Sequence, residues 1–580
     1  MGHFIKRRKY QDDTRLQSIV QPSSFLRPRF FSPGSVSPFV ARSSSLYIGP
    51  TAGSRMSGST CFQVQAVDPY THIELSKVKF QIVVTVKNLT LLTIIRFQNK
   101  VHNKVSKKSK NYYVGTKPVV LIADVDLLKK IQVSDFHKFV NRANVFRGGP
   151  ERRTGKEKRV EGFSQHLVAL RDKRWKEIRS IITPSFTASK MKQMAPIMNS
   201  AIDSLVENVE KKSASGEPFD MYPLFQGLTM DVIGRTAFGI HTDSQNNPND
   251  PLLRSSKVLL ENDIRNPLAL LAISFRSLET VWTWLGRLRL TVKNKGTNPV
   301  KELIESVKKV IAIRRDKKES RRPDLLQLMI DAEIDDLKNI TSEELTASGG
   351  TDNRENQSKS SSSNKLIRRM TDADILDNSV IFFIAAYETT STALAFTTHL
   401  LLHYPEAQEK IRAEVQNLID TEGELDYYSV NKLQYLDQVL HESLRMYPPV
   451  YLFISRECGE DVDLGKIKLK KGTAIQVPAY HIHRDPELWG PDVDEFKPER
   501  FSPENKSKIH PMAFQAFGAG PRNCVGMRFA FMEAKLALAR LLSKYKLQAC
   551  SRTDNKEITL FIKAAGLNPK KGIWTTAIPV

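Results

Sequence analysis

Residues 514–540 read FQAFGAGPRNCVGMRFAFMEAKLALAR, a Gly- and Pro-rich loop around Cys524 that runs into an amphipathic segment. Gly518, Gly520 and Gly526 bracket the cysteine, so the backbone there is free to take positive φ and to approach something flat. After Gly526 the breakers stop. Phe529, Met532, Leu536, Leu538 and Leu541 recur at helical spacing, with Arg528, Glu533 and Lys535 between them. The pattern predicts a helix and puts Cys524 on the loop feeding its N-terminus, where free N–H groups and the helix dipole favour an anionic sulfur.

A lone cysteine is most often a small buried hydrophobe, but Gly, Pro, Arg and Asn surround this one. Zinc asks for three or four ligands, and no CxxC or His pair lies nearby. A protease-type nucleophile needs a base in reach; that reading stays open without local support. A single thiolate on a metal whose other ligands come from a macrocycle, as in haem iron, suits the neighbours best. The segment Phe517-x-x-Gly520-x-Arg522-x-Cys524-x-Gly526 resembles the haem-binding loop of the cytochrome P-450 family, and further motifs of that family stand upstream in order. The likeness runs from about Tyr112 to the C-terminus and is closest to the microsomal branch that oxidises drugs, steroids and fatty acids. It implies a mainly α fold with small β-sheets, the haem lying between a long central helix and the helix that follows the Cys loop. In that arrangement Cys524 is the axial iron ligand, Phe517 shields the sulfur, and Gly526 is one of the cofactor-binding positions.

The central helix is expected from Thr371, capped with Asp374, to His403, with Pro405 as its stop. Phe382, Ala385, Ala386 and Thr389 share one face, and two alanines there leave a flat surface for a porphyrin. Residues 379–402 are apolar enough to suggest a membrane span, but Glu388 and several threonines argue for burial inside protein. Taken alone, Glu388-Thr389 reads as a hydroxyl bonding back to a carbonyl and a carboxylate paired elsewhere. The resemblance makes them the acid–alcohol pair that delivers protons to bound dioxygen. The motif Ala385-Ala386-Tyr387-Glu388-Thr389-Thr390 departs from the family only at Ala386, where Gly is more usual.

Other residues gain roles the same way. Trp175 and Arg179, one helical turn apart in LRDKRWKEIRSIITPSF, are implied to donate to a haem propionate, with Arg456 and Arg522 as further propionate partners. Arg171, Lys173, Arg174 and Lys176 would lie towards the electron-donor face. Glu442 and Arg445 are an i, i+3 pair, and the resemblance adds Arg500 of Phe496-Lys497-Pro498-Glu499-Arg500-Phe501 to form a buried structural network. Phe382, Val450, Tyr451, Leu452 and Ala565 are expected to line the substrate pocket. A strand pair is expected over 113–122, broken at Gly115-Thr116, and a short helix from Asp124 to Ile131.

The whole chain has 580 residues, 40% hydrophobic and 26% charged, enough for a large core. Its four cysteines (Cys61, Cys458, Cys524, Cys550) are scattered and suggest no disulfide framework. A net charge of +24 suits an anionic membrane or an acidic protein; the basic residues form no arm or nucleic-acid motif, so no nucleic acid is expected. The resemblance supplies the acidic partner, a flavoprotein reductase that passes on electrons from NADPH, and makes a small apolar molecule and O2 the substrates.

Residues 1–111 are expected to be an atypical N-terminal segment, and 112–580 the domain that the resemblance implies, with a low-complexity insertion at 349–364. A targeting peptide, a wrongly assembled reading of the gene, or peripheral attachment without a span would each account for the start, the second most readily. Lys77, Lys79 and Lys87 interrupt the most apolar early stretch, so no clear transmembrane span is expected there. Residues 264–290 mix Leu, Phe and Trp with positive charges, as a peripheral membrane contact would. The expected location is the endoplasmic reticulum membrane; the basic, Ser-rich, acid-poor start resembles a mitochondrial targeting peptide and supplies the alternative. Three rival functions remain at this point: a haem-thiolate isomerase or peroxide-rearranging enzyme needing no electron donor, a non-catalytic haem binder, and a haem-free protein whose long helix spans a membrane.

Overall fold

The computed structural model describes residues 109–580 apart from 115–116, 144–164, 248, 261–278, 294–297, 317–321, 323, 333–369, 452 and 564–565. Residues 1–108 of the N-terminal segment, the insertion, 264–278, Leu452 and Ala565 therefore lie outside the described residues. Strands β1 (Ser109–Val114) and β2 (Lys117–Ile122) form the expected hairpin, β1 beginning four residues before the predicted pair. β3 (Ser455–Glu457) and β4 (Ala474–Gln476) complete a four-stranded sheet in the order β1-β2-β4-β3, with β2 and β4 parallel. Asp124 caps the predicted short helix, which covers Val125–Lys129 and passes into a wider turn over Lys130–Ser134.

Helices α1 (Asp172–Ile182), α2 (Ala188–Ser215), α3 (Met221–Ala237), α4 (Glu279–Lys293), α5 (Asp372–His403), α6 (Pro405–Glu422), α7 (Gln434–Met446) and α8 (Met527–Lys544) carry most of what bears on function. α5 is the predicted central helix. Thr371 Oγ1 accepts from Asp374 N while the Asp374 carboxylate accepts from Thr371 N, a reciprocal cap that satisfies two otherwise unpaired donors. Pro405, first residue of α6, fits a following helix's first turn but cannot continue α5.

Nearly all of α5 is buried, packed among α3, α7 and α8, and Phe383 stacks on Phe238 of α3 with ring centroids 4.1 Å apart. It is the one helix among the described residues long and apolar enough to cross a membrane, and its apolar stretch is mostly buried in protein. The reading of a membrane span is thereby overturned: side chains from other helices, rather than lipid, cover it. α4, by contrast, leaves Val281, Trp284, Leu288 and Val292 exposed at i, i+3, i+7 and i+11, a single stripe.

Candidate active site

The cysteine loop is built by its glycines and by one long-range contact. Gly518 and Gly520 take φ of +69° and +70°, and a Cβ on Gly520 would stand 1.8 Å from the carbonyl oxygen of Gln132. Gln132 also accepts the Ala519 amide on its side chain at 3.2 Å. Gly526 is different: its φ is −90° and it caps α8, so the positive φ open to all three glycines is used at only two. The Cys524 amide donates to Phe517 O at 2.9 Å, closing the loop under the sulfur, and Phe517 packs on Phe531 of α8 at 5.3 Å between ring centroids.

Cys524 is accessible, yet protein crowds it closely enough that burial pushes its thiol above the ordinary value; the Gly526 amide, Arg179 and Arg142 pull the other way. Both facts hold if the sulfur faces an internal cleft. The anionic sulfur expected from the helix N-terminus is thus corrected for the metal-free thiol, because desolvation outweighs the nearby positive charge.

Four arginines gather around this cleft: Arg142, Arg179, Arg456 and Arg522. Burial lowers Arg522 most, to about 7, with repulsion from Arg142, Arg456, Arg171 and Arg179 adding to it. Burial and Arg142 bring Arg456 to about 9. Arg142 and Arg179 fall to about 10, chiefly through burial, with Cys524 opposing. Arginine holds its proton in practice, so the direction of these shifts reflects the cost of burying the charges first and their mutual repulsion second. Arg456 Nε and Arg522 Nη1 are buried without a hydrogen-bond partner among the described residues. The other donors are spent locally: Arg179 on Asn523 O (3.1 Å) and Oδ1 (2.9 Å), Arg522 on Val140 O and Leu170 O (both 2.8 Å), Arg456 on Ser455 O (2.8 Å).

Trp175 is buried on α1 with the Arg522 guanidinium 4.1 Å above its ring. α1 is aimed by Asp172, which adopts φ +47° and is held on both sides by Asn141.

On α5, Ala385 is exposed and Ala386, Glu388 and Thr389 are half-buried in the middle of an otherwise buried helix. Phe186 ties the two walls together, stacking on Phe382 of α5 (6.1 Å) and meeting Phe529 of α8 edge-on (6.3 Å). The open surface of α5 is therefore the predicted alanine face.

The sequence model of the family described as Cytochrome P450 matches residues 86–576. The chain belongs to the cytochrome P450 family. It is 34% identical over 473 residues to cytochrome P450 3A29 of Sus scrofa, covering 80% of this chain and 84% of the relative. It is 35% identical over 477 residues to cytochrome P450 3A9 of Rattus norvegicus, covering 82% and 85%. A third relative, cytochrome P450 3A28 of Bos taurus, is 34% identical over 488 residues, covering 84% and 87%. The expected mainly α P450 fold with small sheets holds, and so does the cofactor, a Cys-ligated haem. The residues on the page fit it: one thiol facing a cleft, an alanine floor, and a buried cluster of cations with two orphaned donors for a group bearing two carboxylates.

In this P450, Thr389 Oγ1 donates to Ala385 O at 2.7 Å. The Glu388 carboxylate is engaged away from Thr389, its Oε1 accepting from Asn568 Nδ2 (2.6 Å) and Tyr222 Oη (3.2 Å). The acid and the alcohol are neighbours in sequence, each with its own partner. Val450 bridges Gly566, and Leu567 N donates to Pro449 O at 2.8 Å, which brings two expected pocket segments together. Tyr451 is buried in the main core and Phe382 just at its edge.

The network of Glu442, Arg445 and Arg500 forms as expected. Arg445 makes a two-pronged pair with Glu442 (2.7 and 2.8 Å), both fully buried, and Arg500 Nε adds a third donor at 3.3 Å. The resemblance implied that this network steadies the approach to the cysteine loop; the residue that makes the connection, His483, was not read from sequence. His483 Nε2 accepts the Gln515 amide at 2.7 Å, which leaves the Nδ1 proton for Arg445 O at 3.1 Å. Burial, then Arg445 and Arg484, push His483 down to about 3, so it stays neutral in this role. Arg142 was missed too: it lies outside any helix, strand or motif and joins the cluster only through the fold.

Proposed function

We propose that Cys524 would ligate the iron of a haem that Arg142, Arg179, Arg456 and Arg522 would hold, with Trp175 bracing Arg522, and that Glu388 and Thr389 of α5 would handle protons. The enzyme is a haem-dependent monooxygenase acting on apolar organic substrates such as xenobiotics, steroids or fatty acids. When bound, the haem supplies the activation of O2 and the transfer of one oxygen atom to the substrate.

The chain's own residues supply the setting. Cys524 would hold the iron as a thiolate, with Phe517 and the loop backbone closing around the sulfur. The arginines neutralise the two propionates through charge-assisted bonds worth about 1.5–3 kcal/mol each. Ala385 and Ala386 keep the oxygen side open, Ala386 adding one methyl beyond the usual glycine, and Glu388 holds a proton-accepting carboxylate one residue from the Thr389 hydroxyl. Phe382 and Val450 contribute apolar pocket walls.

Electrons come from NADPH through a flavoprotein reductase. The location is the endoplasmic reticulum membrane, and the relatives give the mitochondrial alternative no support. The exposed Val281, Trp284, Leu288 and Val292 stripe of α4 supplies an apolar face for peripheral membrane contact.

The observation that carries the reading is the accessible Cys524 set among buried arginines, with an accessible alanine on the central helix. The test is the absorption spectrum of the reduced, carbon-monoxide-bound protein. A strongly red-shifted Soret band is expected for the parent and its disappearance in Cys524→Ala. A band that persists in the variant would overturn the ligand assignment.

A further inference from the structure

The described side chains around Glu388 form a closed hydrogen-bond system rather than a loose contact. Tyr222 Oη lies 3.0 Å from Thr392 Oγ1 and 3.2 Å from Glu388 Oε1. Asn568 Nδ2 lies 2.6 Å from Glu388 Oε1, 2.9 Å from Tyr222 Oη and 3.2 Å from Thr392 Oγ1. Gln226 Nε2 reaches Glu388 Oε2 at 3.5 Å. Two proton arrangements serve every acceptor: Thr392 donates to Tyr222, Tyr222 to Glu388 and Asn568 to Glu388 and Thr392, or Tyr222 donates to Thr392 and Asn568 to Tyr222 and Glu388; in both, Asn568 donates to the Glu388 carboxylate. All the donors are neutral. No Lys, Arg or His pairs with Glu388 among the described residues. Asp220, which caps α3 two residues before Tyr222, has its carboxylate committed to the amides of Tyr222 and Ile573.

The four partners come from three elements. Tyr222 and Gln226 lie on α3, Thr392 one turn along α5 from Glu388, and Asn568 on the strand β5 (Gly566–Pro569). Tyr222, Thr392 and Asn568 are buried, so the system cannot be replaced by bulk water without opening the fold. Meanwhile Thr389 gives its proton to Ala385 O, so the acid and the alcohol are held apart by partners of their own.

We propose that Tyr222 and Asn568 are positioning residues that hold the Glu388 carboxylate withdrawn from the Thr389 groove, so that its release from them gates proton delivery. This rests on the proton-handling role proposed for Glu388. Glu388 is bound here as a hydrogen-bond acceptor only; it must break these bonds to turn towards the groove, and each bond to a charged acceptor is a separate hold on it.

The test uses the haem-loaded enzyme and two measurements. In the ferric protein without turnover, the infrared carboxylate stretch of Glu388 is assigned by its loss in Glu388→Gln. Removal of one donor, in Tyr222→Phe or Asn568→Ala, is expected to move that band towards the position of a free carboxylate. In turnover, the solvent deuterium isotope effect on product formation is expected to fall about twofold towards unity in both variants, because the proton-bearing group is no longer restrained. Should Tyr222→Phe fail to take up haem, Asn568→Ala on the separate strand carries the same test. A band unmoved in either folded variant, or an isotope effect that stays or rises, overturns the gating. If Glu388→Gln itself leaves product formation and isotope effect at parent values, the proton-handling role falls, and the gate with it.

Discussion

Gly520 and Gly526 look alike in the sequence and differ in the fold. At Gly520 a side chain meets both a left-handed backbone and the Gln132 carbonyl, whose oxygen would be 1.8 Å away. Gly520→Ala is expected to destabilise the protein by at least about 2 kcal/mol and to weaken haem retention, read by thermal unfolding and by the carbon-monoxide spectrum. Gly526 has negative φ, and an added Cβ would sit 3.9 Å from Phe186, so Gly526→Ala should cost no more than about 1 kcal/mol, as at an ordinary helix cap. The buried Glu442–Arg445 pair answers differently again. Arg445→Ala strands a fully buried carboxylate, with Arg500 its remaining cation, and also removes the donor to His483 O. A loss of about 3–5 kcal/mol is expected in denaturant titration.

Among elements, α5 matters most because it contributes both the alanine floor and the acid. Its start is held twice: by the reciprocal Thr371–Asp374 cap, and by an ion pair from Arg174 on α1 to Asp374. Thr371→Ala should therefore cost about 1 kcal/mol while leaving the haem spectrum unchanged, since the first turn lies far along the helix from Ala385. Hydrogen exchange confined to the first turn of α5 would check that the loss is local. The same pair explains why α1 and α5 hold their places on the two sides of the cleft. Of the basic side chains expected to face an electron donor, Arg171 is tied to Glu457 and Arg174 to Glu177 and Asp374. A charged helix face here serves the fold before it serves any partner.

At the scale of the molecule, some charge is bound into the C-terminal region. Burial alone would raise the carboxyl of Asp554, but Lys571 at 2.8 Å and the Thr559 amide at 2.7 Å outweigh it and hold it at about 2 against an ordinary 3.8. A depressed acid stabilises the fold above its unfolded value and loses that contribution as pH falls through the folded one. Asp554→Asn should thus be less stable by on the order of 2 kcal/mol above pH 4, with the gap closing as pH approaches 2 in acid-unfolding curves. Legibility from the sequence followed the range of the forces concerned. Local rules were enough for the cap and stop of α5, the amphipathic α8, the hairpin and the i, i+3 pair Glu442–Arg445, because their causes lie within a few residues. The cysteine and its glycine pattern pointed to the cofactor, since that chemistry is concentrated in ten positions. Arg142, His483, Tyr222 and Asn568 carried no such mark: each is an ordinary residue whose partner is distant in the chain. By itself, then, the chain's order of residues determined where α5 and α8 form and which atom we propose to hold the iron. Only packing decided which arginines surround that atom and where Glu388 rests, because burial and repulsion act on whatever the fold brings within a few ångströms.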